Sequence, residues 1–211
     1  MNNNALAFFG NMANSQDLHQ NSVKLAKNSD FSLYDSEFIM KYADHNSDLL
    51  DLGTGTGLVV NKIYKNVKSI TAVEPYGNFT KFIVNSENIT IVNEDIFSFT
   101  PDKKFDLLTL IGVMNYFNEY EAIEVYRRYF PFLKEAGKII IKNQFGVHED
   151  VNISGFSEEL GQDYYSQYRH IDKEVKILRS VGYAWVEVFD IYPAECNRWG
   201  NTHFYALVAG K

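Results

Sequence analysis

The sequence predicts an α/β protein of the Rossmann-like, doubly wound type, with a seven-stranded sheet whose last strand is antiparallel. From Asp48 onward, short apolar, β-branched segments alternate with helix-like segments, which is typical of a parallel sheet. The glycine-rich turn Asp51-Leu52-Gly53-Thr54-Gly55-Thr56-Gly57 joins the first strand to a helix. The last two strand-like segments follow each other without a long helix, so they can pair antiparallel at one sheet edge.

Length and composition indicate one folded domain. The chain has 211 residues, of which 45% are hydrophobic and 22% charged, and this ordinary usage argues against disorder or a fibrous scaffold. We assign residues 1–211 to a single domain, with 1–47 as a helical flank or lid and 48–211 as the Rossmann-like core.

Each element of the core is predicted from its pattern. Strands are apolar runs bounded by turn or charged residues, and they fall at Asp48–Leu52, 69–74, 89–93, Phe105–Ile111 and 138–143, with the closing pair at 183–191 and 202–209. Helices are predicted at 58–65, 76–85, 119–133 and Ile171–Val181. In the flank, residues 5–27 have helical spacing, and residues 32–35 resemble a capping box that opens a helix reaching residue 42.

Charge and composition exclude several classes of function. The chain carries 27 acids against 20 bases, a net charge of −7, so it lacks the long-range attraction that a nucleic-acid backbone needs. The amino terminus has no basic and apolar leader, and no apolar run approaches the ~20 residues of a membrane span. Cys196 is the only cysteine, and no histidine and carboxylate spacing suggests a metal site. We therefore expect a cytoplasmic protein that binds no nucleic acid, membrane or metal.

The glycine turn and two later acids form the strongest functional pattern. Glycines allow a sharp turn and a close approach to a ligand, and the exposed N–H groups of the following helix favour an anionic group. Glu74 ends the second strand about 20 residues later, where doubly wound nucleotide sites place the acid that binds ribose. Asp95 and Ile96 follow the third strand and could border an adenine ring. Alternatively, the turn serves packing, Glu74 is a solvated acid and Asp95 is a helix cap.

On these residues the sequence resembles the class I S-adenosylmethionine (SAM)-dependent methyltransferases, whose first motif is an acid, an apolar residue and Gly-x-Gly-x-Gly. The resemblance covers residues 48–209 and includes the reversed last strand. It implies that SAM is the cofactor, with S-adenosylhomocysteine (SAH) as product, and that the loop after the fourth strand lies beside the methionine end. The candidate cofactor-binding residues are Asp51, Gly53, Thr54, Gly55, Gly57, Glu74, Pro75, Asp95, Ile96, Ile111 and Gly112.

Acceptor-binding residues are expected on the loops after strands four and five. Methyl transfer from a sulfonium requires alignment and exclusion of water, and a hydroxyl acceptor benefits from a base. The substrate-facing candidates are Asn115, Tyr116, Asn143, Gln144, Tyr168 and Arg169, and the catalytic candidates are His148 and Tyr116. Loop amides are also common turn residues, and His148 could equally be a solvated loop histidine.

The segment 164–170 concentrates tyrosines and cationic groups in an otherwise acidic chain. We predict that Arg169 clamps a phosphate or carboxylate through its planar fork while the tyrosines shape the pocket. The alternative is the start of an amphipathic helix with tyrosines in the core and Arg169 on the surface.

The predicted function is SAM-dependent O- or N-methylation of a small polar, possibly phosphorylated, metabolite. The loop after the fourth strand lacks the Asn/Asp-Pro-Pro-aromatic signature of many enzymes that methylate nucleobase amines. Usage rich in Asn, Lys and Ile suggests a bacterial source, and the resemblance favours a sugar, a nucleotide-linked compound or a phosphoramidate capsule intermediate, methylated by a monomer or homodimer. The alternatives are a non-catalytic, methyltransferase-like subunit and, third, a nicotinamide oxidoreductase.

Overall fold

A computed structural model describes residues 3–22, 31–158, 161–197 and 199–211 of the chain. Two flanking helices, α1 (Asn3–Ala13) and α2 (Phe31–Ile39), precede the sheet. The remaining helices are α3 (Val60–Ile63), α4 (Gly77–Thr80), α5 (Glu119–Tyr129) and α6 (Ile171–Val181). None of the described helices is long and apolar enough to cross a membrane.

Seven strands form one sheet in the order β3-β2-β1-β4-β5-β9-β8. They are β1 (Asp48–Leu52), β2 (Ser69–Val73), β3 (Ile89–Val92), β4 (Phe105–Ile111), β5 (Leu133–Gly146), β8 (Trp185–Phe189) and β9 (Thr202–Gly210). Strand β9 runs antiparallel to both β5 and β8, and the other pairings are parallel, which confirms the predicted fold class. Because the strand order reverses between β1 and β4, a ligand crevice is expected above their carboxyl ends.

Each face of the sheet is covered by an apolar layer. On one face, Leu50, Leu108 and Ile141 pack with α5 and α6. On the other, Leu49 and Ile140 pack with α2 and α3. Alternate residues of β5 therefore belong to different layers, so Lys142 lies on the α2 side and Asn143 on the α5 side of the sheet.

Several predicted boundaries are wrong for local reasons. Helix α5 ends at Tyr129 because a short 3-10 turn at Phe130–Phe132, containing Pro131, leads directly into β5, which begins at Leu133 and not at residue 138. Helix α4 is a single turn and does not reach residue 85. Helix α2 begins before Ser32 and ends at Ile39, so Ser32 lies inside it and is not its cap. In the segment 5–27, α1 covers only the first part, and residues 23–27 lie outside the described ranges.

A two-stranded hairpin, β6 (Val151–Ser157) with β7 (Gln162–Tyr168), follows β5 and was not predicted. On β7, Tyr164, Ser166 and Tyr168 are buried while the residues between them are more exposed. A two-residue period of burial is typical of a strand. The buried side chains of β7 are polar or amphipathic, however, so the apolar alternation by which strands are identified in a sequence is weak here. The predicted alternative, a helix start over this segment, is wrong.

Candidate cofactor and acceptor site

One cavity of about 640 Å³ lies above the carboxyl ends of the central strands. Helix α1 and the β6–β7 hairpin cover it from above: Phe8 packs edge-on against Tyr164, and Phe9 against Tyr116, with ring centroids 5.5 and 4.8 Å apart. The Tyr76 hydroxyl also donates to the carbonyl of Leu6 at 2.8 Å. Helix α1 therefore contacts residues on both sides of the cavity.

The glycine turn brings backbone close to the cavity. The amides of Gly53 and Thr54 both donate to the Val73 carbonyl, at 2.9 and 3.0 Å. Gly53 has φ +75°, and a Cβ there would lie 2.6 Å from the side chain of Val113. Gly112 has φ +73° and lines the cavity, with no atom within 4 Å of an added Cβ. Gly112 therefore leaves open space at the end of β4, whereas at Gly53 the Val113 side chain packs against the backbone of the turn.

Asp51 lies at the base of the turn and is almost fully buried. Its carboxylate accepts hydrogen bonds from the hydroxyls of Thr109, at 2.6 Å, and Thr54. Burial raises the pKa of Asp51 despite these two bonds. The side chain lines the cavity, so a ligand that donates a hydrogen bond or carries positive charge would compensate its burial.

Glu74 is buried at the end of β2, as predicted, and lines the cavity. Its carboxylate accepts hydrogen bonds from the amides of Gly55, at 2.9 Å, and Tyr76, at 3.1 Å. Burial raises the pKa of Glu74 to about 7, and the nearby charge of Asp51 adds to the effect. A carboxylate offers about four lone-pair sites, so this one can still accept two hydroxyl donors from a ligand.

The other cofactor candidates divide into two groups. Among the described residues, the cavity wall includes Asp51, Gly53, Thr54, Gly55, Glu74, Pro75, Ile96, Ile111 and Gly112, but not Gly57 or Asp95. A Cβ on Gly57 would meet Ile83 at 2.6 Å, so this glycine serves packing. Asp95 accepts from the Phe97 amide at 2.7 Å within a turn. No helix lies between β3 and β4 in the described range 31–158, so Asp95 is not a helix cap, and Glu94 lines the cavity in its place.

Five predicted acceptor residues line the cavity, namely Asn115, Tyr116, Asn143, Gln144 and Tyr168. Two of their amides already have partners: Asn115 donates to Ser166 at 2.8 Å, and Gln144 donates to Thr202 at 2.6 Å. Asn143 differs, because it is 2% exposed and neither its Nδ2 nor its Oδ1 has a hydrogen-bond partner. A buried amide without partners is costly, so this group is suited to a ligand.

Tyr116 belongs to a cluster of buried tyrosines with Tyr164 and Tyr168. The hydroxyls of Tyr164 and Tyr168 are 3.5 Å apart, and burial raises the pKa of Tyr116 to about 12. At neutral pH the Tyr116 hydroxyl is therefore protonated. It can donate a hydrogen bond to a ligand, but it is a poor general base.

His148 and Arg169 are not on the cavity wall. His148 is exposed in the turn between β5 and β6, so its predicted role as a base has no support from its position. Among the described residues, no group of three or more His, Cys, Asp or Glu side chains is arranged to hold a metal ion.

Arg169 is 2% exposed and its guanidinium is occupied by protein partners. Its Nε lies 2.5 Å from Glu174 Oε2, and its terminal nitrogens donate to the carbonyls of Phe117, at 2.6 Å, and Met114, at 3.0 Å. Burial alone would lower the pKa of Arg169, but the Glu174 carboxylate holds it above its usual value. The prediction that Arg169 clamps an anionic acceptor is wrong. Arg169 instead fixes the turn after β4 that carries Asn115 and Tyr116.

Other residues of the wall were missed at the sequence level. They come from the flank, the hairpin, β5 and β9, and include Phe9, Phe31, Asp35, Lys142, Ser154 and Phe204. A signal for Lys142 was present, because it follows Ile139-Ile140-Ile141 inside a central strand, where a lysine is unusual unless it has a partner. The flank and hairpin residues have no such local signal, since only tertiary folding brings them over the sheet.

The doubly wound sheet with its reversed strand, the glycine turn and the buried acid after β2 together define a class I SAM-dependent methyltransferase. Residues 33–175, more than half of the chain, match the family model described as a methyltransferase domain. The chain belongs to this family, which confirms the resemblance and the enzyme class. SAM is the methyl donor of the class.

Solved structures share this fold at low sequence identity. The DhpI-SAM-HEP complex matches with a TM-score of 0.73 and 11% identity, covering 99% of this chain and 96% of that chain. The glycopeptide N-methyltransferase MtfA with SAH matches with a TM-score of 0.66 and 14% identity, covering 87% of this chain and 90% of that chain. The Burkholderia thailandensis 1,6-didemethyltoxoflavin-N1-methyltransferase, with 1,6-didemethyltoxoflavin and SAH bound, matches with a TM-score of 0.67 and 13% identity. The match covers 87% of this chain and 79% of that chain. No curated protein matches the chain by sequence.

Proposed function

We propose that this protein transfers a methyl group from SAM to an oxygen or nitrogen of a small polar metabolite. One observation carries the proposal: a single cavity joins the Glu74 carboxylate at one end to the unpartnered amide of Asn143 at the other. A donor site and an acceptor site in one enclosed space are what direct methyl transfer requires.

The residues around the glycine turn fit SAM. Glu74 would accept hydrogen bonds from the two ribose hydroxyls, and Pro75 and Ile96 would border the adenine. Asp51 would bind the charged amino group of the methionine end, which would give its buried carboxylate a hydrogen-bond donor. The open space at Gly112 would admit the ligand close to the backbone. When bound, SAM supplies the reactive methyl group.

The chain's own residues orient the acceptor and exclude water. Asn143 offers both a donor and an acceptor, and Tyr116 donates a hydrogen bond because its phenol stays protonated at neutral pH. Helix α1 and the hairpin cover the site, which protects the sulfonium from water and strengthens polar interactions inside.

The chemical class of the methyl acceptor is inferred from the polar groups on the cavity wall. Sugars and nucleotide-linked compounds fit the polar groups near Asn143. A phosphate or phosphoramidate acceptor is no longer favoured, because Arg169 does not line the cavity and is paired with Glu174. The structural neighbours act on a glycopeptide and on 1,6-didemethyltoxoflavin, which is consistent with a small acceptor. We further propose a cytoplasmic monomer or homodimer without a nucleic-acid partner, in keeping with the net charge of −7.

Calorimetric titration with SAM and SAH tests the cofactor claim, and failure of both to bind at millimolar concentration would exclude it. Release of SAH from SAM in the presence of fractionated bacterial metabolites tests turnover. Binding of SAH without turnover on any fraction would favour the non-catalytic, methyltransferase-like subunit. Titration with reduced nicotinamide cofactor, followed by fluorescence, discriminates the oxidoreductase.

A further inference from the structure

A buried ion pair forms part of the cavity wall between α2 and β5. The ammonium of Lys142, 9% exposed, lies 3.3 Å from the carboxylate of Asp35, 4% exposed. The Tyr192 hydroxyl donates to the other oxygen of Asp35 at 2.6 Å. Both Lys142 and Asp35 line the cavity, and neither belongs to the cofactor-binding end around Glu74.

Lys142 has spare hydrogen-bonding capacity. An ammonium group carries three N–H donors, and Asp35 is its only ionic partner among the described residues. Its other neighbours are the rings of Tyr192 and Phe204, whose centroids lie 5.3 and 5.9 Å from Nζ. Burying an ammonium with unused donors is costly, and a ligand oxygen would satisfy them.

Lys142 also carries positive charge on the cavity wall. In the part of the chain that the structure describes, no other lysine or arginine lines the cavity. A phosphate that approached the Lys142 ammonium would also approach the Asp35 carboxylate beside it, which would repel it. The ligand group next to the pair should therefore be uncharged when it binds.

Aromatic rings surround the pair. Phe31 stacks on Tyr192 with centroids 5.0 Å apart and lies 6.1 Å from Phe204. Phe31, Phe204 and Trp199 all line the cavity. A flat ring would pack against these faces while its polar substituent meets the ion pair.

We propose that Lys142 and Asp35 bind and activate the acceptor of the proposed methyl transfer, and that this acceptor is a phenolic or enolic hydroxyl on a flat ring. The inference rests on the proposed function. In the reaction the acceptor O–H bond breaks and its proton passes to the Asp35 carboxylate. The oxygen forms a bond to the methyl carbon as the carbon–sulfur bond breaks, and sulfur keeps that electron pair.

The charges of the pair select this acceptor. Once Asp35 has taken the acceptor proton, the Lys142 ammonium is no longer neutralised and stabilises negative charge on the acceptor oxygen. A carboxylate is a weak base, so it suits a phenol, with a pKa near ~10, better than an alcohol of a sugar. The pair thus favours a ring hydroxyl over an aliphatic one.

The test uses 4-nitrophenol as the probe, because its ionised and neutral forms differ in visible absorbance. Protein saturated with SAH is dialysed to equilibrium against 4-nitrophenol, and the spectrum of the bound probe is titrated across neutral pH. Lys142→Met removes the positive charge and should raise the pKa of the bound probe by about 1 to 3, whereas Asp35→Asn removes the negative charge and should lower it. Lys138→Met, on the same strand but outside the cavity wall, is the matched control and should leave it unchanged.

Breaking a buried pair can unfold a protein, so the double variant Asp35→Asn/Lys142→Met is included, which removes both charges together. It should fold, bind SAH and lose most of its affinity for 4-nitrophenol. Normal SAH affinity with no binding of 4-nitrophenol to the unmutated protein overturns this inference, as do equal pKa values of the bound probe in both single variants. Failure of the unmutated protein to bind SAH would instead contradict the proposed function.

Discussion

The Gly55 amide donates a 2.9 Å hydrogen bond to Glu74 Oε2, so the turn after β1 and the acid at the end of β2 form one unit. Burial raises the pKa of Glu74 to about 7. The group that we assign to ribose therefore changes its charge within the physiological range, and cofactor binding and protein stability both become sensitive to pH.

The affinity for SAH should rise as the pH increases through about 7. Ribose hydroxyls donate to the ionised carboxylate, so binding favours that form, and the affinity should differ by about tenfold between pH 6 and pH 8. Glu74→Gln cannot ionise and should bind weakly with a flatter profile. Glu74→Ala should weaken binding by roughly 1.5 to 3 kcal/mol. Calorimetry at each pH measures these values, and parallel profiles for Glu74→Gln and the unmutated protein would contradict the ribose assignment.

The unliganded protein should lose stability as the pH rises from about 4.5 to about 7. The pKa of Glu74 in the folded state is above its value of 4.5 in the unfolded state, so the folded state binds more protons between these values and its stability falls as the pH rises. The expected loss in the free energy of unfolding is at most about 3 kcal/mol for this group. Urea denaturation at about pH 5 and pH 8 measures it. Glu74→Gln should show a smaller loss, the remainder coming from Asp51, whose pKa is shifted in the same direction.

Arg169 should contribute to stability and not to acceptor charge recognition. Arg169→Met leaves the Glu174 carboxylate buried without its cation and frees the carbonyls of Met114 and Phe117, so we expect a loss of about 3 to 5 kcal/mol. The double variant Arg169→Met/Glu174→Leu removes both charges and should recover part of that loss. Thermal and urea unfolding measure the difference, and an unchanged midpoint for Arg169→Met would refute this structural role.

Asn143 should show opposite effects on stability and activity. Its buried amide has no partner, so Asn143→Leu should leave the free energy of unfolding unchanged or raise it by about 1 kcal/mol, while methyl transfer falls and SAH affinity is retained. Asn115→Leu is the matched comparison, because the Asn115 amide donates to Ser166 and its loss should destabilise the fold. Destabilisation by Asn143→Leu as large as that by Asn115→Leu would indicate that Asn143 is structural.

The sheet and the cofactor end could be predicted from the sequence because their signals are local. The turn 51–57 and Glu74 carry residue types whose chemistry and position along the chain identify them before folding. Strands buried on both faces also read as continuous apolar runs, and only their ends, as at Leu133, were misplaced.

The acceptor end could not be predicted in the same way. It combines α1, α2, the hairpin and β5, which meet only after folding: Asp35 and Lys142 are far apart in sequence but 3.3 Å apart in space. For Arg169, the sequence led to a wrong prediction of an anion-binding site. Its residue type suggested an anion site, but the guanidinium faces the buried carboxylate of Glu174, five residues further along the chain, and composition does not reveal that orientation.

Helix α1 should control cofactor exchange through Tyr76. The Tyr76 hydroxyl donates to the Leu6 carbonyl at 2.8 Å, and Tyr76 also lines the cavity beside Glu74. Tyr76→Phe keeps the ring and removes one hydrogen bond, worth about 1 kcal/mol, so α1 should open about fivefold more often while the sheet keeps its stability. Stopped-flow release of SAH should be faster by a similar factor, and amide hydrogen exchange in α1 should increase. Tyr120→Phe, at a tyrosine that is 85% exposed on α5, is the control. Unchanged exchange in α1 together with unchanged SAH release in Tyr76→Phe would mean that this hydrogen bond does not hold the helix over the site.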